Sequence, residues 1–282
     1  TRHSTLFPYT TLFRSDRPFV GFDNLATLLD CGNHFDPSTC KRDLFWRAVW
    51  NTAAFSVLQV SLMVLFSLIT ALVLNRKIIG RGFWRGVYFY PVLLSPVVVA
   101  LVWKWILQRD GVLNALMVAA GREPTLWLAE SGWAFSWVVF VSIWAHMGFY
   151  TLILLAGLQA IPADLYEASA VAGAGPITNF VSITLPLILK PLTPLLISSF
   201  AFNFNNFVLI SLLTGGRPDF LDTSVPAGTT DILVSYTYRI AFQDSGQQFG
   251  LAAAISTVIF LLVAAITLVQ MRFTRVVEED KR

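Results

Sequence analysis

Charge is scarce in this sequence of 282 residues: Asp, Glu, Lys and Arg together make up 13% of it, where a soluble chain carries about 25%. That deficit excludes an ordinary soluble globular domain, a secreted enzyme and a disordered regulator, since disorder needs low hydrophobicity and high net charge. Cysteine is nearly missing as well. Two cysteines are too few for a disulfide framework or a metal cage. The chain also lacks a G-x-x-x-x-G-K-[ST] loop, so it does not bind ATP by that route. A formal charge of +3 with a pI near 9.0 does not point to nucleic acid, because the basic residues gather beside apolar blocks rather than in a patch of their own.

What is abundant is apolar length. Hydrophobic residues make up 55% of the chain and the mean hydropathy is +0.64. They collect in five blocks, Ala53–Leu74, Val87–Leu107, Trp133–Leu158, Leu192–Leu213 and Leu251–Met271, each near the roughly 20 residues that a helix needs to cross a bilayer. The expected fold is therefore an all-α, polytopic membrane helical bundle of about five spans. Lys and Arg favour cytoplasmic loops. Arg76, Lys77, Arg81 and Arg85 in the first loop, and Arg272, Arg275, Lys281 and Arg282 in the tail, place both in the cytoplasm. The fourth loop sets Arg217 and Arg239 against Asp219, Asp222, Asp231 and Asp244, and faces outward with the second loop, which holds Arg109 and Arg122. Parity then makes residues 159–191 cytoplasmic, although Lys190 is their only basic residue. Residues 16–52 become an extracytoplasmic N-terminal segment, 53–271 the transmembrane domain and 272–282 a cytoplasmic tail. Cys31 and Cys40 fall on the outer side, where an oxidising compartment permits pairing; a disulfide and two free thiols are both open readings.

Residues 1–15 stand apart. Thr5 to Ser15 reads TLFPYTTLFRS and resembles translated sequencing-adapter strings found in assembled environmental DNA. It is broken by Pro8 and Arg14 and lacks the small-residue cleavage site of a signal peptide. A foreign origin implies a natural chain that starts upstream; a native irregular terminus is the alternative.

The third loop carries the strongest signal. Asp164 to Ala174 is rich in Ala and helix-forming, with Glu167 near the start, where a carboxylate suits the helix dipole. Gly173, Gly175 and Pro176 interrupt it, Ile177 to Leu185 resumes a helical pattern, and Pro186 is expected to end it. Two short helices joined by a glycine turn follow, fitting either a membrane-surface element or a docking element. Glu167-Ala168-Ser169, Gly173 and Ile183-Thr184-Leu185-Pro186 closely resemble the EAA loop of permease subunits of binding-protein-dependent ABC importers. The resemblance implies a type I importer permease fold, with Glu167, Ala168 and Gly173 docking on a separate ATPase subunit. It further implies a second permease subunit, two ATPase subunits, an extracytoplasmic sugar-binding protein and the lipid bilayer as partners. ATP is then used by the ATPase partner, with no cofactor held by this chain and no catalytic or metal-binding residues in it.

Downstream, SSFAFNFNNFVLI (Ser198–Ile210), Thr214-Gly215-Gly216, Pro226-Ala227-Gly228 and Tyr236 to Phe242 look like maltose/maltodextrin permease subunits, closely so from about Tyr166 to Met271. FVGFDN (Phe19–Asn24) and Tyr90-Pro91 look like the wider sugar-permease family. In the fourth span, Ser199, Phe202, Asn203 and Asn206 stand at i, i+3, i+4 and i+7, one face of a helix. A hydroxyl, a ring and two amides suit a sugar; Asn and Ser also join membrane helices by hydrogen bonds worth about 0.6–2 kcal/mol. Asn205 lies off the stripe. The resemblance favours substrate contact by these four. It adds Phe149 and His146 as expected substrate contacts with departures: the relatives have Tyr at the position of Phe149, so the ring is kept and the hydroxyl lost, Gly at that of His146, and Tyr at that of Val92. Maltose or maltodextrin is the first expected substrate, with another oligosaccharide, trehalose or glycerol phosphate as alternatives.

His146 is the one ionisable group well inside a span, which marks it as a functional candidate. Substrate contact, packing, and a proton relay in a proton-coupled carrier are its open readings, the last without an Asp or Glu at depth to accompany it. Lys104 is expected to snorkel to the interface. Trp84, Trp103, Trp105 and Trp133 fit an aromatic belt.

Overall fold

The computed structural model describes residues 20–223 and 225–279. The adapter-like residues 1–15, together with Lys281 and Arg282, lie outside the described residues. Within them the chain is all helical, the strand-like pairings being isolated bridges at Cys31–Cys40 and Asp219–Gly228. In chain order the helices are α1 Asp23–Leu29, α2 Asp43–Asn75, α3 Arg81–Leu93, α4 Pro96–Leu107, α5 Val112–Ala119, α6 Ser131–Ala160, α7 Ala163–Val171, α8 Pro176–Asn179, α9 Leu185–Phe204, α10 Phe207–Leu213, α11 Leu233–Phe242 and α12 Phe249–Glu279, with a π-helical turn, Phe180–Thr184, between α8 and α9.

Among the described residues, three helices are long and apolar enough to cross a membrane: Asp43–Asn75, Ser131–Ala160 and Phe249–Arg272. Two bent pairs raise the number to five, Arg81–Leu93 with Pro96–Ala119 at 98° and Pro176–Leu189 with Leu192–Phe204 at 63°. The first bend falls inside the block Val87–Leu107, and the block Leu192–Leu213 is interrupted after Phe204. Ser95 is extended, at ψ 136, because the ring of a following proline disfavours the α region, and Pro96 then starts a new helix. In the fourth block Asn205 and Asn206 leave helical geometry, the latter at φ −76 and ψ 54, so α9 stops at Phe204. Pro186 does not end a helix as expected. It sits in the first turn of α9, where its missing N–H costs nothing, and the π turn carries the chain into it.

Helix α2 turns a polar stripe inward. On α2 the buried residues Thr52, Ser56, Gln59, Met63, Ser67 and Ala71 recur every three or four positions, while Leu58, Leu65, Phe66, Ile69 and Val73 are exposed. The polar stripe faces the bundle and the apolar face meets hydrocarbon, because lipid supplies no hydrophobic drive between helices and packing uses small and polar side chains. Helix α6 runs against both α2 and α3. Gly148 allows the second contact: a Cβ there would lie 2.0 Å from the Tyr88 carbonyl oxygen.

Two further expectations are resolved. Cys31 and Cys40 form a disulfide. The tryptophans divide: Trp84, Trp105 and Trp133 are exposed, as a belt requires, but Trp103 turns inward to pack against Trp137, Phe140 and Trp144 at ring-centroid distances of 5.5–5.9 Å.

Candidate functional site

The inward faces of α2, α6 and α9 meet around a cavity of about 310 Å³. Helix α9 contributes Leu195, Ser198, Ser199, Phe202 and Asn203; α6 contributes His146, Phe149 and Tyr150; α2 contributes Gln59 and Met63; and α3 closes it with Val92. Five of the six expected substrate residues therefore share one chamber. Asn206 does not. Its place on the stripe requires an unbroken helix, and the termination of α9 at Phe204 turns it out of the cavity lining. It is buried nonetheless, and its Nδ2 has no hydrogen-bond partner.

The polar atoms of the chamber are turned onto one another. Ser199 donates its hydroxyl to the Leu195 carbonyl at 2.8 Å, which leaves its oxygen to accept from the Tyr150 hydroxyl. Asn203 Nδ2 spends both protons, on Gln59 Oε1 at 2.6 Å and on the Ser199 carbonyl at 2.9 Å. Its Oδ1 is buried without a partner. His146 Nδ1 lies 2.8 Å from the Ser142 carbonyl. A carbonyl only accepts, so Nδ1 carries a proton. The His146 ring meets Phe202 edge-on at 5.5 Å. Phe202 and Phe149 remain 54% and 42% exposed, as rings do when they offer a surface rather than fill a core. Among the described residues no Asp, Glu, Lys or Arg lines the cavity, so it suits a neutral, hydroxyl-bearing molecule with apolar C–H faces.

Gln59 and Tyr150 were missed by sequence reasoning. Gln59 had a signal, being the one amide in the first apolar block and in register with Thr52, Ser56, Met63 and Ser67. Tyr150 had none beyond its place next to Phe149.

Glu167, Ala168 and Gly173 lie apart from the cavity, on the helix–turn–helix of α7 and α8. Helix α7 starts at Ala163, so Asp164 occupies its first turn and Glu167 sits mid-helix, a correction to the dipole argument. None of its residues is buried, and Val171 and Ile177 are 92% and 80% exposed. Gly173 has φ +75, and a Cβ at that position would meet nothing within 4 Å. Glycine is needed there for its left-handed backbone rather than for room. The motif is held rigid from behind, by Tyr166 Oη to Thr184 Oγ1 at 2.8 Å and by Ser169 to Asn179.

The 214–242 region encloses a buried ion-pair cluster. Asp231 accepts from Arg239 Nη1 at 2.6 Å, Ser235 Oγ at 2.8 Å and the Gly228 N–H at 2.9 Å, while Asp219 takes the other arm of Arg239. Burial pushes the Asp231 carboxyl up to about 6, with the Arg239 charge and these hydrogen bonds pulling it back down. Burial alone would lower Arg239, but Asp231 and Asp219 outweigh it and hold the guanidinium above its usual value. Gly216, at φ +80, leaves no space for a side chain, since a Cβ would lie 2.0 Å from Asp231 Oδ1.

The family described as binding-protein-dependent transport system inner membrane component matches residues 63–282. The chain belongs to this family. It is accordingly a multi-pass inner-membrane protein. Among relatives of this permease, the maltose/maltodextrin transport system permease protein MalF of Klebsiella aerogenes is 43% identical over 259 residues, 91% of this chain and 49% of that protein. The protein of the same name from Vibrio parahaemolyticus is 47% identical over 234 residues, 82% of this chain and 44% of that one, and that of Escherichia coli K12 is 45% identical over 230 residues, 80% and 45%. The chain thus spans about half the length of the relatives it matches. A bacterial alginate ABC transporter, solved with a periplasmic protein bound to an alginate pentasaccharide, matches with a TM-score of 0.71 at 24% identity, over 96% of this chain and 89% of that one; at that identity the likeness concerns the fold.

Proposed function

We propose that this permease forms part of the translocation path of an ABC importer for a neutral sugar, maltose or maltodextrin first among candidates. The observation that carries the reading is the chamber itself. Two exposed rings, the Tyr150–Ser199 hydroxyl pair, two amides and an imidazole converge between α2, α6 and α9, with no Asp, Glu, Lys or Arg in the described lining. Rings pack on sugar C–H faces, amides and hydroxyls exchange hydrogen bonds with sugar hydroxyls, and the names of relatives 43–47% identical point to the same substrate class.

The chain does no chemistry and holds no cofactor in this reading. A second permease subunit completes the path, two ATPase subunits hydrolyse ATP, and an extracytoplasmic binding protein delivers the sugar. The exposed helix α7, with Glu167, Ala168 and the left-handed turn at Gly173, docks on an ATPase subunit in the cytoplasm. Closure of the ATPase pair moves α7 as a rigid body and turns the chamber outward. His146 hydrogen-bonds substrate through Nε2. A proton relay is not supported, because its Nδ1 is tied to a carbonyl and no carboxylate lines the chamber among the described residues.

Uptake of labelled maltose by the assembled transporter, with competition by maltotriose, trehalose and glycerol phosphate, tests this. Competition by maltotriose far above that of glycerol phosphate is expected; dominance of glycerol phosphate removes the neutral-sugar reading.

A further inference from the structure

Gln59 occupies an unusual chemical position. It is 2% exposed, stands on α2 opposite α9, and lines the same cavity as Asn203. Its Oε1 accepts from Asn203 Nδ2 at 2.6 Å. Its Nε2, a donor of two protons, finds only the Met63 sulfur at 3.6 Å, and a thioether is a weak acceptor. Asn203 is the mirror case, with both Nδ2 protons committed and Oδ1 unpartnered. Joined along one edge, the two amides are left with one strong donor, on Gln59, and one strong acceptor, on Asn203. Buried polar groups left one bond short in this way are costly, and a single hydroxyl satisfies both, since it donates one proton and accepts another.

We propose that Gln59 is a specificity-determining residue of the chamber, forming with Asn203 an amide pair that receives one hydroxyl of a neutral sugar: the hydroxyl donates to Asn203 Oδ1 and accepts from Gln59 Nε2. This rests on the sugar-import reading and sharpens it. Asn203 alone offers the ligand no donor, because Gln59 and the Ser199 carbonyl have taken its protons. Selectivity for a hydroxyl over a hydrogen, a fluorine or a methoxy group at that ring position therefore resides in the pair, and its donor half comes from Gln59. A carboxylate in place of the hydroxyl accepts from Gln59 Nε2 but has no proton for Asn203 Oδ1, and the described lining holds no Lys or Arg to offset its charge, so the pair disfavours uronate oligosaccharides.

The test is uptake by the assembled transporter of maltose and a panel of monodeoxy- and monofluoro-maltoses, in the wild type and in Gln59→Met and Gln59→Leu. The wild type is expected to discriminate against one deoxy analogue by about three- to tenfold in kcat/KM, the scale of one hydrogen bond, and against the fluoro analogue at that position by a similar factor. In Gln59→Met the maltose KM rises and the ratio for that analogue falls towards one, while ratios at the other ring positions are kept. An assembled Gln59 variant that retains the wild-type ratio overturns the proposal, as a purely structural glutamine changes no ratio. Where neither variant assembles, the wild-type panel still decides: equal transport of every deoxy analogue also overturns it. A wild type that takes up no maltose at all defeats the sugar reading and this proposal together, whereas sugar uptake with flat ratios defeats this proposal alone.

Discussion

Two regions of the molecule bury polar side chains, and they do so to different ends. In the 214–242 region both side-chain oxygens of Asp231 are engaged, by Arg239, Ser235 and the Gly228 N–H, with Arg239 Nε left without a partner, and Gly216 stands where a Cβ would collide with Asp231. In the chamber between α2, α6 and α9 the polar groups are also paired, but the pairing stops one bond short. Asn203 Oδ1 has no partner. A carboxylate with both oxygens engaged fixes a shape; an amide oxygen left short on a cavity lining is available to a ligand. Charge marks the same division, since ionic groups crowd the first region and are missing from the described lining of the second.

The sharpest way to break this comparison is to remove a charge from the ion-pair cluster. Asp231→Leu leaves Arg239, whose side chain is 4% exposed, without its fully buried counter-ion, and losing one partner of a buried pair costs about 3–5 kcal/mol. Thermal unfolding in detergent is expected to show a large loss of stability. Asp231→Leu combined with Arg239→Met should recover most of it, because an apolar replacement of both partners is often neutral. A single variant with wild-type melting would show that the cluster does not hold this region together.

Next in size is an effect on transport without one on folding. Glu167 is exposed on a helix that buries none of its own residues, so Glu167→Lys leaves melting unchanged. Reversal of a charge at a docked interface, worth about 2–5 kcal/mol, should lower uptake about tenfold or more or release ATP hydrolysis from it. Wild-type uptake with normally stimulated ATPase activity in this variant would separate α7 from the ATPase contact.

Within the chamber the two kinds of residue should separate. Phe202→Ala removes a half-exposed ring and should lower uptake about three- to tenfold, the scale of about 1 kcal/mol, with little change in melting. Asn203→Ala should lower uptake comparably and also destabilise by about 1–3 kcal/mol, because Gln59 Oε1 loses its donor. Uptake and melting falling in step for both variants would make the chamber another packing cluster.

The apolar blocks, the helix–turn–helix at residues 163–184 and the chamber residues Ser199, Phe202 and Asn203 were legible because each depends on local pattern: apolar length, a glycine turn, or spacing of i, i+3 and i+4; Phe149 was reached through the resemblance and His146 through its depth in a span. Asn206 was not, because extrapolating the stripe by three residues assumes helix beyond Phe204, and Asn-rich sequence does not itself announce where a helix stops. The bend at Ser95 is signalled by Pro91 and Pro96, yet apolar length outweighs them in the reading of Val87–Leu107. Gln59 and the Asp231–Arg239 pair were not legible as partners. Gln59 meets Asn203 across 144 positions of chain, and Asp219 meets Arg239 across a loop. No periodicity within one segment encodes such a meeting.

The smallest effect belongs to Asn205, and it sharpens the comparison most cheaply. Asn203, Asn205 and Asn206 are nearly consecutive amides, so composition alone gives them one role. The structure separates them by burial: Asn203 and Asn206 are 1% and 7% exposed, whereas Asn205 is exposed, sits past the end of α9 at φ −110 and ψ 16, and is absent from the cavity lining. Its separation from the stripe follows from that exposure rather than from a helical wheel, since the helix ends at Phe204. Asn205→Ala should therefore leave both uptake and melting within about 0.5 kcal/mol of wild type, as surface substitutions do. The paired measurement with Asn203→Ala is what discriminates. If Asn205→Ala abolished uptake while Asn203→Ala left it intact, the chamber would be packing between α2 and α9, and the sugar path would run along the outer face of the 205–206 break instead.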